Sequence, residues 1–160
     1  MRTRTKFARL ALAGCISAVV ATSCINTYNV RMAGDERSAI VTLDTWRNAC
    51  FEYQMAYVTF PAEISQLVPP QGGNFTSKDA ADLIGSNMIP SRGAALSKDG
   101  YTFRYVPGPA NAKGVIETYS MLADPVSYNN SGKKRYFTDQ STVIHFTLDG
   151  TEPSTSSPVM

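Results

Sequence analysis

Three cysteines and one histidine are the side chains of this 160-residue sequence best suited to chemistry, and their spacing limits what that chemistry can be. Cys15 and Cys24 lie within the apolar run ARLALAGCISAVVATSC (8–24), and Cys50 stands well downstream. An odd count, with no Cys-x-x-Cys pair and no His/Cys cluster, gives neither a readable disulfide framework nor a structural zinc site. Cys50 reads as a small buried apolar residue. His145 sits in TVIHFTL (142–148), where Ile144, Phe146 and Leu148 share one side of a strand and Val143, His145 and Thr147 the other. That alternation puts His145 on the more exposed face, in a structural role. No Ser/His/Asp or Cys/His set emerges from the local sequence, so a non-enzymatic protein without a cofactor is expected. Asp124, Asp139 and Asp149 fall beside turn signals, where aspartate supports the backbone. Calcium, which needs several converging oxygens, is the lesser reading, and no metal site is assigned. Asn74-Phe75-Thr76 and Asn129-Asn130-Ser131 fit the glycosylation sequon and are read as chance occurrences in Asn-rich loops.

The remaining chemistry is processing of the amino terminus, for which Cys15 and Cys24 are the candidate processing or lipidation residues. Arg2, Arg4, Lys6 and Arg9 precede the apolar run, as in an export signal or membrane anchor whose basic end is held at the cytoplasmic face. LAGC (12–15) has the small residues a lipoprotein signal peptidase requires, after an apolar run that Arg9 interrupts. Cys24 has the better length ahead of it, 10–21, and a poorer local match in ATS. Residues 10–20 are short of the ~20 that span a bilayer, whereas 7–25 reaches that length with Arg9 placed to snorkel. The stretch is read as the root of a helix that stays in the membrane, with a signal cut at one of the cysteines as the alternative.

These residues need elements to hold them. Residues 1–60 contain no proline and only Gly14 and Gly34. Ala39, Leu43, Trp46, Cys50, Tyr53 and Tyr57 recur at spacings of four and three, the core-facing stripe of a helix, with Arg47 and Asn48 on the opposite arc. If this half continues the apolar one, the helix runs roughly 50 residues, about 75 Å. Phe60-Pro61 ends it. Residues 61–74 read as loop, with Ile64 and Leu67 tucked under the core, and 78–88 as a short helix around Ala81, Leu83 and Ile84, stopped by Pro90. After Gly100 the period becomes two, giving four strands at 101–106, 118–123, 135–139 and 142–148. Short links make them an antiparallel meander. The fold class is therefore α+β, a long N-terminal α-helix packed on a four-stranded antiparallel sheet. Three regions follow: an anchor segment at 1–30, one globular domain at 31–150, and a Ser/Thr/Pro-rich tail at 151–160 expected to be disordered. Charged residues are 18% of the chain and the net charge is +2, which gives no field for binding nucleic acid.

RMAGDERSAIVTLDTWRNACFEYQMAYVTFPAEISQL (31–67) resembles the helix and following Phe-Pro loop of type IV pilins and type II secretion pseudopilins. SKDGYTFRYVPG, YSMLADP and GKKRYFTDQSTVIHF resemble strands of the same broad group. The resemblance implies a structural subunit anchored through its helix in the bacterial inner membrane, with the globular domain in the periplasm or outside the cell. Its implied partners are other pilin or pseudopilin subunits, in a pilus or a secretion system. The start differs from the family pattern of a glycine and phenylalanine at the cleavage point with a glutamate a few residues on. Here Phe7 follows Lys6, Arg9 interrupts the apolar start, and Ala11 stands in the glutamate's place. The alternative reading is a lipid-anchored periplasmic lipoprotein that keeps a pilin-like binding domain.

Overall fold

The computed structural model describes residues 6–89 and 95–160, with the side chains of the long helix described from residue 27 onward. That helix, α1, runs unbroken over Lys6–Tyr57, 52 residues and about 78 Å of axis. Without proline before residue 61, each amide can reach the carbonyl four residues back. It ends where Val58 takes a left-handed φ of 59°, its amide still bonded to the Gln54 carbonyl at 2.9 Å.

The sheet has five strands, not the four expected: β1 (Leu96–Lys98), β2 (Tyr101–Pro107), β3 (Tyr119–Pro125), β4 (Arg135–Asp139) and β5 (Ile144–Thr147). All pair antiparallel in chain order. The added strand β1 folds onto β2 across Asp99-Gly100, whose φ values of 47° and 74° are those a two-residue hairpin turn demands. One row across the sheet reads Leu96, Phe103, Ala123, Tyr136, Phe146 and faces α1. The neighbouring row, on the other face, reads Arg104, Leu122, Phe137, His145.

Aromatic rings fill the space between helix and sheet. Trp46 meets Phe103 with centroids 5.9 Å apart, Tyr101 meets Tyr136 at 5.9 Å, and Tyr105 stacks on Tyr119 at 5.8 Å. Their polar tips bind the loops. Trp46 Nε1 donates to the Met88 carbonyl at 2.8 Å, Tyr53 Oη to Lys78 at 2.7 Å, and Tyr105 Oη to Pro61 at 2.7 Å. Buried aromatics thus supply both apolar area and a hydrogen bond to a connecting segment.

Residues 78–88 do not form the expected helix. The amides of Ala81, Asp82 and Leu83 donate to the carbonyls of Gln66, Val68 and Leu67, and Asp82 takes φ 58°. Those long-range bonds replace helical ones, and the segment lies extended beside the 3₁₀ turn Ile64–Leu67. Only Ser86–Met88 makes a turn of helix, and Pro90 lies outside the described residues.

The tail also differs from expectation. Residues 151–160 return to the sheet: Val159 bridges to His145, Phe146 N donates to Pro158 O at 2.9 Å, and Met160 N donates to Ile144 O at 3.0 Å. Pro153 is buried. His145, placed on the expected exposed face, is consequently only 8% exposed, with Nδ1 2.7 Å from the Ser157 carbonyl and its ring against Phe137. The tail gives the second face of the sheet its own cover.

Candidate functional site

The two faces of α1 carry the residues on which a role can be argued. On the sheet side Ala39, Leu43, Trp46, Cys50 and Tyr53 are buried, and Tyr57 is half-buried against the same cluster. Thr42 and Ala49 join them, widening the stripe. On the opposite side Val30, Gly34, Val41, Asn48 and Met55 are exposed. They are separated by four, seven, seven and seven residues, so they form one line down the helix. Phe51, 54% exposed, lies one turn before Met55 beside that line. A Cβ built at Gly34 meets nothing within 4 Å, so the line stays open there. This second stripe is absent from the expected site residues, although it follows the same helical count as the first.

Charged groups flank the helix in pairs. Asp44 accepts from Arg47 at 3.1 Å, and Glu36 lies 4.0 Å from Lys134 while accepting the Lys133 amide at 2.9 Å. Arg47, expected on the outer arc, instead reaches across to donate to the Thr142 carbonyl at 2.8 Å and ties the β4–β5 turn to the helix. Asn48 is exposed, as its place on the arc requires.

The chemically able residues are held in structural roles. Burial pushes the Cys50 thiol up to about 12, against a lesser lowering by a hydrogen bond with Tyr105, and a thiol so placed stays protonated and unreactive. Asp124 accepts from Arg135 at 2.6 Å, Asp139 from the Ser141 amide at 2.8 Å, and Asp149 from Thr151. The Thr151 hydroxyl holds the exposed Asp149 carboxyl below its usual range. Among the described residues no three His, Cys, Asp or Glu side chains converge as a metal ion requires. Cys15 and Cys24 fall within α1, and their side chains lie outside the described residues. Likewise, no helix among the described residues is long and apolar enough to cross a membrane, and the side chains of the run at 8–24 lie outside those residues.

A shallow cleft of about 390 Å³ opens at the carboxyl end of α1, between Val58 and Phe60 on one side and Val115 and Ile116 on the other. Lys113 and Glu117 stand on its lining. Asn111 Oδ1 accepts the amides of Lys113 and Val115 at 2.9 and 3.1 Å, which shapes the loop. Compared with known proteins, the chain matches no family model, no curated protein and no solved structure.

Proposed function

We propose that the chain is a non-enzymatic, pilin-like or pseudopilin-like structural subunit, anchored in the bacterial inner membrane through the amino-terminal half of α1. The globular domain then stands in the periplasm or outside the cell, and its partners are other subunits of the same kind.

The observation that carries this reading is the mismatch between α1 and the domain it packs on. At about 78 Å the helix is several times longer than the longest strands, seven residues or roughly 23 Å. A helix of that length serves something beyond its own core. Within the domain half, the exposed line of Val30, Gly34, Val41, Asn48 and Met55 gives neighbouring helices a small-residue and apolar track. The family-like text at 31–67 and in the strands supports the same reading, and the buried Cys50 and tail-covered His145 favour structure over catalysis.

Electron microscopy and size analysis of membrane extracts test it. Wild-type chain is expected in assemblies, and Val41→Asp or Met55→Asp, both at exposed positions, should fold normally and fail to assemble. A wild-type chain that remains monomeric would overturn the proposal. The lipid-anchored lipoprotein is the second reading, favoured by the two cysteines in the apolar run. Intact mass separates them: a diacylglyceryl addition on a new amino-terminal Cys15 or Cys24 supports the lipoprotein.

A further inference from the structure

The end of the domain nearest the apolar run has a built rim. Tyr28 stands three residues past Ile25, roughly 4.5 Å further along an unbroken α1. Its hydroxyl donates to the carbonyl of Asn129, so loop 126–134 between β3 and β4 is fastened to the helix at that level. Glu36, two turns on, holds the other end of the loop through the Lys133 amide and the Lys134 ammonium. The loop is rigid from within. Asn129 N donates to Gly132 O at 2.8 Å, and Tyr101 Oη donates to Lys134 O at 2.9 Å. Gly132 is pressed so close to Tyr101 that a Cβ there would sit 2.0 Å from its hydroxyl oxygen. Tyr128 ties the loop to the end of β5 by donating to the Leu148 carbonyl.

Although fixed, this rim turns large apolar side chains outward. Val30 and Val126 are 67% and 62% exposed, Leu148 is 56% exposed, and Tyr28 and Tyr128 are also exposed. Arg31, 82% exposed and 4.0 Å from Asp35, and the exposed Lys133 add two basic side chains to this end of the domain. Tyrosines, aliphatics and scattered basic side chains together are the composition of a membrane–water interface, where rings sit at headgroup level and cations meet phosphates. Distance agrees with composition. A bilayer of 40–45 Å with a core of about 30 Å leaves roughly 5–7 Å of headgroup on each side. Tyr28, about 4.5 Å beyond the last residue of the 7–25 apolar segment, falls inside that layer.

We propose that this rim, built from Tyr28, Val30, loop 126–134 and Leu148, is a lipid-surface contact that seats the globular domain on the headgroups of the membrane holding its root. The contact rests on the membrane-anchored reading above. It holds for a membrane-spanning root and for a lipid on Cys24, which leaves Tyr28 only four residues from the bilayer; a lipid on Cys15, 13 residues and roughly 20 Å of helix away, would lift the rim off the headgroups. A seated rim fixes the tilt of the domain before assembly, leaving the line through Val41 and Met55, further up α1, free for other subunits.

The test uses the full chain in vesicles of phosphatidylcholine and phosphatidylglycerol whose acyl chains carry bromine close to the headgroup. Trp46 is buried and 18 residues up the helix from Tyr28, roughly 27 Å, so its own emission is a constant background. Tyr128→Trp adds a reporter at the rim. Phe75→Trp adds one at a 94% exposed position in the segment leading to Lys78, whose carbonyl binds Tyr53 far up α1. The emission added by Tyr128→Trp should fall roughly twofold with brominated lipid, as expected of an interfacial ring, while that added by Phe75→Trp stays unchanged. Val30→Trp, two residues from Tyr28 on α1 and 67% exposed, should repeat the first result if the Tyr128 variant folds poorly. Vesicle flotation is read alongside. Rim reporters unquenched on a floating chain would overturn the contact alone, as would equal quenching at position 75. A concentration-dependent blue shift without quenching would assign the rim to a second copy and overturn it too. A chain that fails to float overturns the anchor and the contact together.

Discussion

Val58 is a β-branched residue held at φ 59°, where Cβ crowds the following carbonyl and glycine is the usual occupant of a helix end. Its side chain is 72% exposed, so little packing offsets the strain. Val58→Gly should therefore stabilise the protein by about 1 kcal/mol, the left-handed cost less the extra entropy of an unfolded glycine. Thermal melting checks this, and an unchanged or lower midpoint would show that the backbone is held for another reason. At Cys50 the argument concerns pH. The folded thiol is raised to about 12 by burial against an ordinary value of 9.0, so the folded state keeps its proton while the unfolded chain loses it. Stability from this group is complete below pH 9 and is lost as pH rises toward 12, by up to about 1.4 kcal/mol per unit. Burial also raises Tyr101, Tyr105, Tyr119 and Tyr136, and their losses begin only above their ordinary value of 10.0. Urea midpoints measured from neutral to alkaline pH should begin to fall near 9 in the wild type and near 10 in Cys50→Ala. Identical onsets would place the thiol in contact with water. The buried stripe from Ala39 to Tyr53 was legible in the sequence because helical spacing reports it directly. The strain at Val58 was not, since nothing in a valine announces a left-handed backbone.

Elements were legible in proportion to how locally their stabilising bonds are made. β2 alternates the aromatics Tyr101, Phe103 and Tyr105, β3 opens on Tyr119 and runs on through Met121 and Ala123, and β4 spans the Arg-Tyr-Phe-Thr-Asp run in full. β1 has only Leu-Ser-Lys and no alternation, and the one local signal for it is the Asp-Gly pair that follows, a strong hairpin turn. The stretch around Ala81, Leu83 and Ile84 spaces its apolar residues by two and one, not by three and four. Its bonds go to Leu67 and Val68, beyond the reach of a local reading. The tail is the sharpest case. Ser, Thr and Pro promise no core, but residues 151–160 contribute backbone hydrogen bonds to β5, the edge strand, and lie against a row of Leu122, Phe137 and His145. Truncation after Gly150 should cost about 2–4 kcal/mol, from two ladder bonds and the newly exposed apolar row. The uncapped edge should also make the protein aggregate. Denaturant titration reads the first effect and light scattering the second. In hydrogen exchange the Phe146 amide, which bonds Pro158, should lose its protection. A truncated chain as stable and as monodisperse as the wild type would mean the tail merely rests on the sheet.

For the molecule as a whole, one helix has two obligations that the sequence separates along its length and around its axis. Around the axis, the buried stripe builds the core and the line from Val30 to Met55 is left outward. Along the length, contacts with the sheet and loops reach down to Tyr28, and the apolar run lies beyond. The architecture was readable because a proline-free helix and a period-two meander admit few packings, whereas the assembly proposed for it rests on surfaces that no single-chain pattern closes. The two obligations separate in a fragment beginning at Asn26, which keeps Tyr28, the whole buried stripe and about 48 Å of helix while removing the apolar run. Its core is complete, since Trp46, Phe103, Tyr101 and Tyr136 all lie within it. The fragment should therefore fold as a monomer, with Trp46 emission as poorly quenched by acrylamide as a fully buried indole requires. In that fragment Trp46→Ala should cost roughly 3–5 kcal/mol, the range for emptying a large core site. If the fragment folds but Trp46 is freely quenched, the stripe belongs to an interface between subunits and not to the core. If it assembles without the apolar run, the outward line is sufficient by itself, and the membrane half of α1 anchors the subunit without contributing to the contact between subunits.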